Sequence, residues 1–396
     1  MGGRMAFFHR IQTGRGRDVF IYVITVVLSA AFIIAGRQIA RAGTPEFASA
    51  SGFVIQAEVM DILSSDSNQM QMGGETVTET TTVFEAKILE GDYKGMTVKA
   101  VHIDSPFSPY KLAPVGSGDK VFLQYAPDDN SGSSWVLQDY RRTDYLIGMA
   151  VFVVALMLAF GRIKGVHTIV SLVFTCLAIF MVFIPSILSG KNIYAATIII
   201  GIFIIAMTIL IVNGASRKSL CSAVGCLFGF LASGLMTAVM DGFLGLTGLI
   251  NEDAVFLLYL NPDKPIDLKA IIFASITIGA LGAVMDVAIS ISSALHEVFQ
   301  TNPSLGMRDV LRSGMNIGRD IIGTMSNTLI LAYIGSSMSL VVLLAAYNDS
   351  LIILLNKEMI VVEVLQSLVG VAGLLMVIPL TSLVCAWTFT RKRSGS

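Results

Sequence analysis

Charged residues are scarce in this chain of 396 residues, since only 14% are Asp, Glu, Lys or Arg and 54% are hydrophobic. Soluble domains carry about 25% charge, so most of this chain cannot be in contact with water. Apolar runs of about 20 residues, the length that an α-helix needs to cross a bilayer, recur along the sequence. The sequence therefore predicts a multi-pass helical membrane protein whose main partner is the lipid bilayer.

An excess of positive charge is also absent, because 27 basic residues face 28 acidic ones and the net charge is −1. This balance argues against a nucleic-acid partner. The four cysteines all lie inside apolar runs, which excludes a disulfide framework in the polar segment. The four histidines are scattered without ligand spacing, so we predict no metal site and no cofactor.

Catalytic and nucleotide-binding motifs are missing as well. The sequence has no GxxxxGK[ST], GxSxG or HExxH, which argues against ATP-driven transport by this chain alone and against a hydrolase. Asp241 and Asp286 could form an intramembrane aspartyl pair only at equal depth, and their predicted depths differ. We therefore predict that the protein is not an enzyme.

Eight apolar segments are predicted to span the membrane. They cover residues 19–36, 144–160, 166–188, 194–212, 220–244, 268–295, 320–346 and 362–389. With residues 1–18 and the tail 390–396 in the cytoplasm, the inner segments hold 14 Lys and Arg, against four in the short outer loops. This asymmetry predicts that both termini are cytoplasmic in the cell (plasma) membrane.

The first span is either an anchor or a signal sequence. Ala48-Ser49-Ala50 resembles a signal-peptidase site. We expect an uncleaved anchor, because Arg37 and Arg41 separate the apolar run from that site.

Residues 44–142 differ completely in composition and lie outside the membrane in this topology. Five short segments alternate apolar and polar residues, as half-buried strands do. Five strands in about 90 residues favour a small closed barrel of the OB-like type, with residues 64–80 as a mobile excursion. The fold class is thus a membrane all-α bundle of about eight transmembrane helices with an inserted small all-β extracytoplasmic domain. That domain is expected to have a structural or docking role.

Two segments of the seven-helix membrane domain (residues 144–389) are not simple connections. Residues 245–267 are too apolar for a solvent loop and too short to cross twice, which predicts an outer re-entrant or interfacial segment. Residues 296–319 mix basic, acidic and apolar residues, which predicts an amphipathic helix on the inner surface. Glu297, Arg319 and Asp320 are candidates for an inner gate there, with ordinary surface charge as the alternative.

Three consecutive predicted helices each carry a stripe of small and polar residues at helical spacing. The stripes are Gly225, Gly229, Ser233, Thr237 and Asp241; then Ser275, Gly279, Gly282, Asp286, Ser290, Ser293 and Glu297; then Asn316, Asp320, Gly323 and Asn327, with Thr324 and Thr328 beside them. Small residues let helices approach closely. We therefore expect these stripes to pack against one another, with Gly225, Gly229, Gly279, Gly282 and Gly323 as helix-packing positions.

Asp286 is the costliest of these residues, because a carboxylate at lipid depth costs a few kcal/mol. Such a group can gain and lose a proton as its surroundings alternate between dry and wet. Asp286, Asn327, Asp241, Ser290 and Thr324 are therefore candidates for transport or proton coupling. The alternative is a permanently protonated or hydrogen-bonded packing role for Asp286, and an interhelical hydrogen bond for Asn327.

Two runs carry a resemblance to the YibE/F family of bacterial membrane proteins. They are GALGAVMDVAISISSALHEV (residues 279–298) and RSGMNIGRDIIGTMSNTLILAYIG (residues 312–335). The anchor, the outer domain with GDYKG and GDKVFLQY, and the junction Asp139-Tyr140-Arg141-Arg142 extend the resemblance over nearly the whole chain. It implies a layout rather than an activity. A more distant similarity is to the proton-driven SecDF and RND-type exporters, whose large paired outer domains this chain lacks.

Two hypotheses of function follow from these features. The first is an export or transport component, proton-coupled through Asp286, with an unknown substrate. The second is a non-transporting scaffold whose outer domain docks an envelope protein partner. A homo-oligomer is compatible with either hypothesis.

Overall fold

The computed structural model describes residues 2–42, 53–72, 75–105, 108, 111–126, 133–260, 264–346 and 350–391. The candidate cleavage site at residues 48–50, the first residues of the predicted outer domain and the tail residues 392–396 lie outside these ranges. The chain forms two compact units. One unit joins Met1–Glu46 to Met157–Ser396, and the other is Phe47–Leu156.

Helices make up almost all of the first unit. In chain order the helices are α1 (Gly2–Arg41), α2 (Thr143–Ala178), a π-helical turn (Ile179–Phe183), α3 (Ile184–Leu188), α4 (Ile193–Asn213), α5 (Arg217–Leu244), α6 (Glu252–Tyr259), α7 (Leu268–Thr301), α8 (Met307–Ser336), α9 (Met338–Ala346), α10 (Leu351–Leu355) and α11 (Glu358–Thr390). Within the described residues, six helical stretches are long and apolar enough to cross a membrane: Val19–Arg41, Thr143–Leu188, Ile193–Asn213, Arg217–Leu244, Leu268–Thr301 and Glu358–Thr390. The protein is therefore a multi-pass membrane protein.

The number of candidate spans, six, differs from the predicted eight partly because two predicted spans fall in one stretch, Thr143–Leu188. That stretch is broken at Arg162, whose φ is +48°. A methyl group added at Gly165 would lie 2.3 Å from the carbonyl oxygen of Met157, eight residues earlier. Eight residues of straight helix span about 12 Å, so the chain turns sharply here and only glycine fits the turn.

The predicted span 320–346 is also absent from the six candidates, because its residues are divided between α8 and α9. Helix α8 begins at Met307 and carries all its charges in its first half. The charged residues are Arg308, Asp309, Arg312, Arg319 and Asp320. The predicted inner segment 296–319 is therefore the end of α7, a short turn and the first half of α8.

Helices α5, α7 and α11 form the closely packed centre of this unit. An added methyl group at Gly225 of α5 would lie 2.0 Å from Thr381 Oγ1 of α11, and one at Gly229 would lie 2.7 Å from Val284 Cγ1 of α7. Ser222 and Ser292 share a 2.6 Å hydrogen bond between α5 and α7. Glycine and serine thus bring three backbones close together, as they do in other membrane bundles.

The loop that follows α5 is fixed to the start of α11. Glu358 accepts hydrogen bonds from the backbone N–H of Thr247 (2.7 Å), the Thr247 hydroxyl (2.7 Å) and the backbone N–H of Gly248 (2.6 Å). Gly248 has a φ of +89°, and an added methyl group there would lie 2.3 Å from Leu268 Cβ. One carboxylate therefore holds the loop that follows α5, and α6 comes directly after this loop.

Replacing Glu358 with alanine is expected to release this loop. Hydrogen bonds to a charged group contribute about 1.5–3 kcal/mol each, so amide hydrogen exchange at Thr247 and Gly248 should accelerate by about tenfold or more. Exchange measured by mass spectrometry on residues 245–250 checks this. Glu252→Ala is the matched control, because Glu252 is exposed and lies in the same segment, and equal acceleration in both variants would contradict the role given to Glu358.

The second unit contains a closed five-stranded barrel. Its strands are β1 (Val54–Met72), β2 (Glu75–Ile88), β3 (Thr97–Asp104), β4 (Lys120–Tyr125) and β5 (Trp135–Tyr140), in the order β1-β2-β3-β5-β4. Every pair is antiparallel except β3 and β5, which are parallel. Phe84, Ile88 and Leu123 are fully buried in its core, as the alternation of apolar residues requires.

Residues 64–72 and 75–80 belong to a paired ribbon of β1 and β2, in the segment that was expected to be a mobile excursion. Pairing of β1 with β2 continues from Ala57↔Ile88 to Met72↔Glu75. Ser65 and Thr82 hydroxyls lie 3.3 Å apart across the strands, and those of Ser67 and Thr80 lie 3.2 Å apart. The polar composition of this segment hid the strand pairing, which the high strand propensity of threonine and the cross-strand hydroxyl pairs favour.

Candidate functional site

Asp286 lies in the middle of α7. It is 18 residues from Leu268 and 15 from Thr301, which correspond to about 27 Å and 22 Å along the helix axis. Most of the circumference of α7 is buried by neighbouring helices. Between Ser275 and Glu297 the exposed residues form a single line along the helix, which consists of Ser275, Gly279, Gly282, Asp286, Ser290 and Glu297. We call this line the α7 polar stripe.

The predicted packing of polar stripe against polar stripe is wrong. Gly225, Gly229, Ser233 and Thr237 of α5 are buried, but they pack against α11 and against Val284, which is not part of the α7 stripe. A methyl group added at Gly282 would meet no atom within 4 Å, and the same holds at Gly323 of α8. The α5 stripe therefore packs the core, whereas the α7 polar stripe is open.

The partner of the α5 stripe is a face of α11 that the sequence reasoning missed. A methyl group added at Gly373 would lie 2.4 Å from Ser233 Oγ and 3.1 Å from Val284 Cγ2. Thr381 and Ser382 are both fully buried on the same helix. Gly373, Val377 and Thr381 follow one another at intervals of four residues on this face, so the helical spacing was present in the sequence.

One end of the α7 polar stripe is bordered by polar groups from two other helices. A methyl group added at Gly279 would lie 3.3 Å from Gln366 Nε2 of α11 and 3.5 Å from the Tyr333 hydroxyl of α8. The Gln366 amide and the Tyr333 hydroxyl therefore border the same point of α7. Neither residue was a predicted site residue, although a glutamine inside an apolar span is itself a signal.

Asp286, Thr324 and Asn327 lie at similar heights on neighbouring helices. Helices α7 and α8 are antiparallel, with Gly279 beside Tyr333 and Leu295 beside Gly314, so Asp286 lies level with about residues 324–326. Thr324 donates to the Ile321 carbonyl at 3.1 Å. Asn327 and Asp286 are exposed, and neither side chain has a hydrogen-bond partner among the described residues. Both groups therefore remain available to water, a proton or a ligand.

Asp241 belongs to a different place. It is half-buried near the end of α5, beside a cavity of about 240 Å³ that Tyr194, Lys269 and Phe273 also line. Because Gly234 packs beside Phe273 and Thr277, Asp241 lies level with the start of α7, about 25 Å along the axis from Asp286. The two carboxylates cannot form a catalytic pair.

The three inner-gate candidates are surface residues in this structure. Glu297, Arg319 and Asp320 are all exposed. In the part of the chain that the structure describes, no ion pair joins any two of them. The structure thus shows no closed charge gate. The described residues also contain no group of three or more His, Cys, Asp or Glu side chains placed to hold a metal ion.

Comparison with known proteins shows the family of this chain. A family model described as YibE/F-like protein matches residues 149–391. The matched region runs from α2 to the end of α11, so it contains the α7 polar stripe and the whole of α8 but not the barrel. No curated protein and no solved structure matches the chain.

Proposed function

Since the chain belongs to the YibE/F-like family, we propose that it is a membrane transport or export component in which Asp286 takes up and releases protons. The observation that carries this proposal is the open α7 polar stripe, with an unpaired carboxylate half-way along a span. The matched region includes this stripe, so the proposed function concerns the part that the family shares. The proposal assigns no enzymatic reaction and no cofactor to the chain.

The physical argument rests on the cost of charge at lipid depth. An ionised carboxylate in the centre of a span costs roughly 2.5–3.5 kcal/mol or more, and so such groups face water or lose their charge. Asp286 has no cationic partner among the described residues, so protonation or hydration must lower this cost. A stripe that alternates between wet and dry surroundings would therefore couple proton movement to a conformational change.

The proposed topology places both termini in the cytoplasm and the barrel outside the cell membrane. The excess of Lys and Arg in the inner segments supports this orientation. We also propose that the barrel is OB-like, because it has five strands in a closed barrel in which β3 and β5 are parallel. Asn327 and Thr324 would serve as polar neighbours of Asp286 along the same path.

The proposal predicts that the α7 polar stripe is reached by water in the membrane. Gly282→Cys and Ser290→Cys, each in a Cys176→Ser background, are expected to react with a charged, membrane-impermeant thiol reagent. The other native cysteines are buried. Leu368→Cys is the control, because Leu368 is an exposed apolar residue of α11 and should face lipid and stay unlabelled.

Labelling is measured by mass shift after exposure of membrane vesicles to the reagent. If both stripe cysteines remain as unreactive as Leu368→Cys, the stripe is dry and a proton path along it is excluded. Labelling at Gly282→Cys and Ser290→Cys, together with protection at Leu368→Cys, supports the hydrated path.

The second candidate function is a non-transporting scaffold whose barrel docks an envelope protein. The observation that favours it is an open seam in the barrel wall between β3 and β5, where only Val101 and Val136 pair. Deletion of the barrel separates the two functions, because a scaffold loses its docking module while the α7 polar stripe stays intact. A homo-oligomer of this chain is compatible with both functions.

A further inference from the structure

A large cavity opens in the wall of the barrel, far along the chain from the α7 polar stripe. Its volume is about 1060 Å³, which is at the upper end of ordinary ligand pockets. Residues of β3 form one side, from His102 to Asp104, and residues of β5 form the other, from Val136 to Asp139. Phe122 and Leu112 give it apolar surface.

The cavity lies where two strands part. Strands β3 and β5 meet only at the pair Val101↔Val136. Beyond Val101, β3 is paired with β2 on its other side, as far as Thr80↔Asp104. Strand β5 is likewise paired with β4 on its other side. Each strand therefore turns one edge toward the cavity, and among the described residues no strand is hydrogen-bonded to residues 102–104 there.

Unpaired strand edges need partners, because each backbone N–H and C=O that loses water without a hydrogen bond costs free energy. Elsewhere in this barrel the neighbouring strand supplies these bonds. Here the seam leaves three residues of β3 open, a length of about 10 Å. A strand from elsewhere would satisfy both edges at once.

A buried polar side chain is also directed to this cavity. His102 lines it and is only 6% exposed, yet its ring has no hydrogen-bond partner in the described part of the chain. Burial lowers the pKa of His102 below the usual histidine value, although the Asp104 carboxylate opposes this shift. The ring is therefore neutral near pH 7 and offers one donor and one acceptor.

The charges around the cavity are nearly balanced. Arg142 is paired with Asp139 at 2.8 Å, and Lys111 and Asp104 carry opposite charges. A nucleic acid or a phosphate group would require a clear positive excess. An uncharged polar chain with regularly spaced donors and acceptors fits this lining better.

We propose that the cleft between β3 and β5 binds an extended polypeptide segment of another envelope protein, which adds a strand to the barrel. Backbone hydrogen bonds to residues 102–104 and 137–139 supply the affinity, as in other cases of strand addition. His102 contributes a hydrogen bond to the segment from the side of the cleft. This inference is independent of proton coupling through Asp286 and holds or fails separately from it.

The test uses the full chain in lipid nanodiscs and a fluorescein-labelled peptide, KTVTVT, as the probe. Fluorescence anisotropy is expected to report binding that weakens by at least about tenfold when alternate residues of the peptide are N-methylated, because methylation removes backbone donors. Equal binding of the methylated peptide, or no binding at about 1 mM peptide, overturns the proposal. A dissociation constant of about 1 mM corresponds to a binding free energy of about −4 kcal/mol.

Two further measurements locate the bound peptide. Amide hydrogen exchange should slow at Ile103 and Gln138, and protection elsewhere without protection at these amides would overturn the proposal. Gln138→Trp should fill the cleft and weaken binding at least about tenfold, whereas Gln124→Trp, on a strand position that does not line the cavity, should leave it unchanged. Because exchange is measured on the unaltered chain, the test does not depend on the folding of either variant.

Discussion

Asp286→Asn is expected to abolish the activity of the protein while leaving the fold intact. Asparagine has the same shape as aspartate and retains hydrogen-bonding groups, but it cannot ionise. Asp286 lies on the open α7 polar stripe without a partner among the described residues, so the substitution removes no packing contact. Complete failure to rescue the phenotype of a strain that lacks the gene is the expected result.

Two matched variants make this result specific to the carboxyl group. Ser290→Ala alters the same stripe one turn away and removes no titratable group, so it should rescue nearly as well as the unaltered chain. Asp241→Asn removes a carboxylate at a different depth, beside Lys269, and is expected to have a smaller effect. Protein amount and unfolding temperature in membranes should be unchanged or higher in Asp286→Asn, because a neutral amide costs less at lipid depth than a carboxylate.

A full rescue by Asp286→Asn would rule out proton coupling through this residue. Deletion of the barrel then decides between the remaining functions, since a scaffold that docks an envelope partner requires the barrel. If both the Asp286→Asn chain and the barrel-deleted chain rescue fully, neither proposed function survives. If only the barrel deletion fails, the scaffold is favoured.

Local sequence patterns were sufficient to predict both units. Alternation such as that in Phe122–Tyr125 predicts strands, and the strands are present, because the period of two between buried and exposed side chains is set by the backbone itself. Apolar runs likewise predict membrane helices, because only a helix satisfies its own backbone in lipid. The YibE/F resemblance, recognised from the runs around Asp286 and Asn327, agrees with the family match over residues 149–391.

The partners of each helix face could not be predicted in the same way. Gly225 and Gly282 belong to stripes of the same kind, yet a methyl group added at Gly225 would meet Thr381, whereas one added at Gly282 would meet no atom within 4 Å. A small-residue stripe tells which face allows close approach, but which helix approaches depends on the arrangement of the whole bundle. The position of α11 decides which stripe is covered. Helix α11 begins more than 130 residues after Gly225 in the chain.

The charged segment before the seventh predicted span was likewise easy to detect, but the helix to which it belongs was not. Residues 296–319 were expected to form a separate amphipathic helix, but from Met307 onward they belong to the first half of α8. A helix continues as long as nothing ends it, and the sequence between Arg308 and Ser336 has no proline. Whether Glu297 meets Arg319 in a gate depends on side-chain geometry, which a pattern of charges does not contain.

Gly225→Ala is expected to be among the most destabilising small substitutions in the helical unit. The added methyl group would lie 2.0 Å from Thr381 Oγ1, 2.9 Å from its Cβ and 3.1 Å from its Cα. Because one of these atoms belongs to the backbone of α11, the two helices must move apart. Overpacking of this kind costs about 1–3 kcal/mol, so the apparent unfolding temperature in detergent should fall by several degrees.

Gly282→Ala is the matched control, since it adds the same methyl group to the α7 polar stripe, where no atom lies within 4 Å. Alanine is favoured over glycine within a helix by about 1 kcal/mol, so this variant should unfold at the same or a higher temperature. Both substitutions replace glycine with alanine, yet they are expected to change the unfolding temperature in opposite directions. A similar loss of stability in both would contradict the assignment of one stripe to the core and the other to an open surface.

Thr381→Ala should partly restore the Gly225→Ala chain, because it removes the hydroxyl that the new methyl group meets first. Thr381 Oγ1 is buried and has no hydrogen-bond partner among the described residues, so Thr381→Ala alone should cost little. The double variant is then expected to be more stable than the sum of the two single effects predicts, as holds for residues in direct contact. Unfolding temperatures are compared at one scan rate, because unfolding of membrane proteins is often irreversible. Additive effects of the two substitutions would show that α5 and α11 do not meet at Gly225.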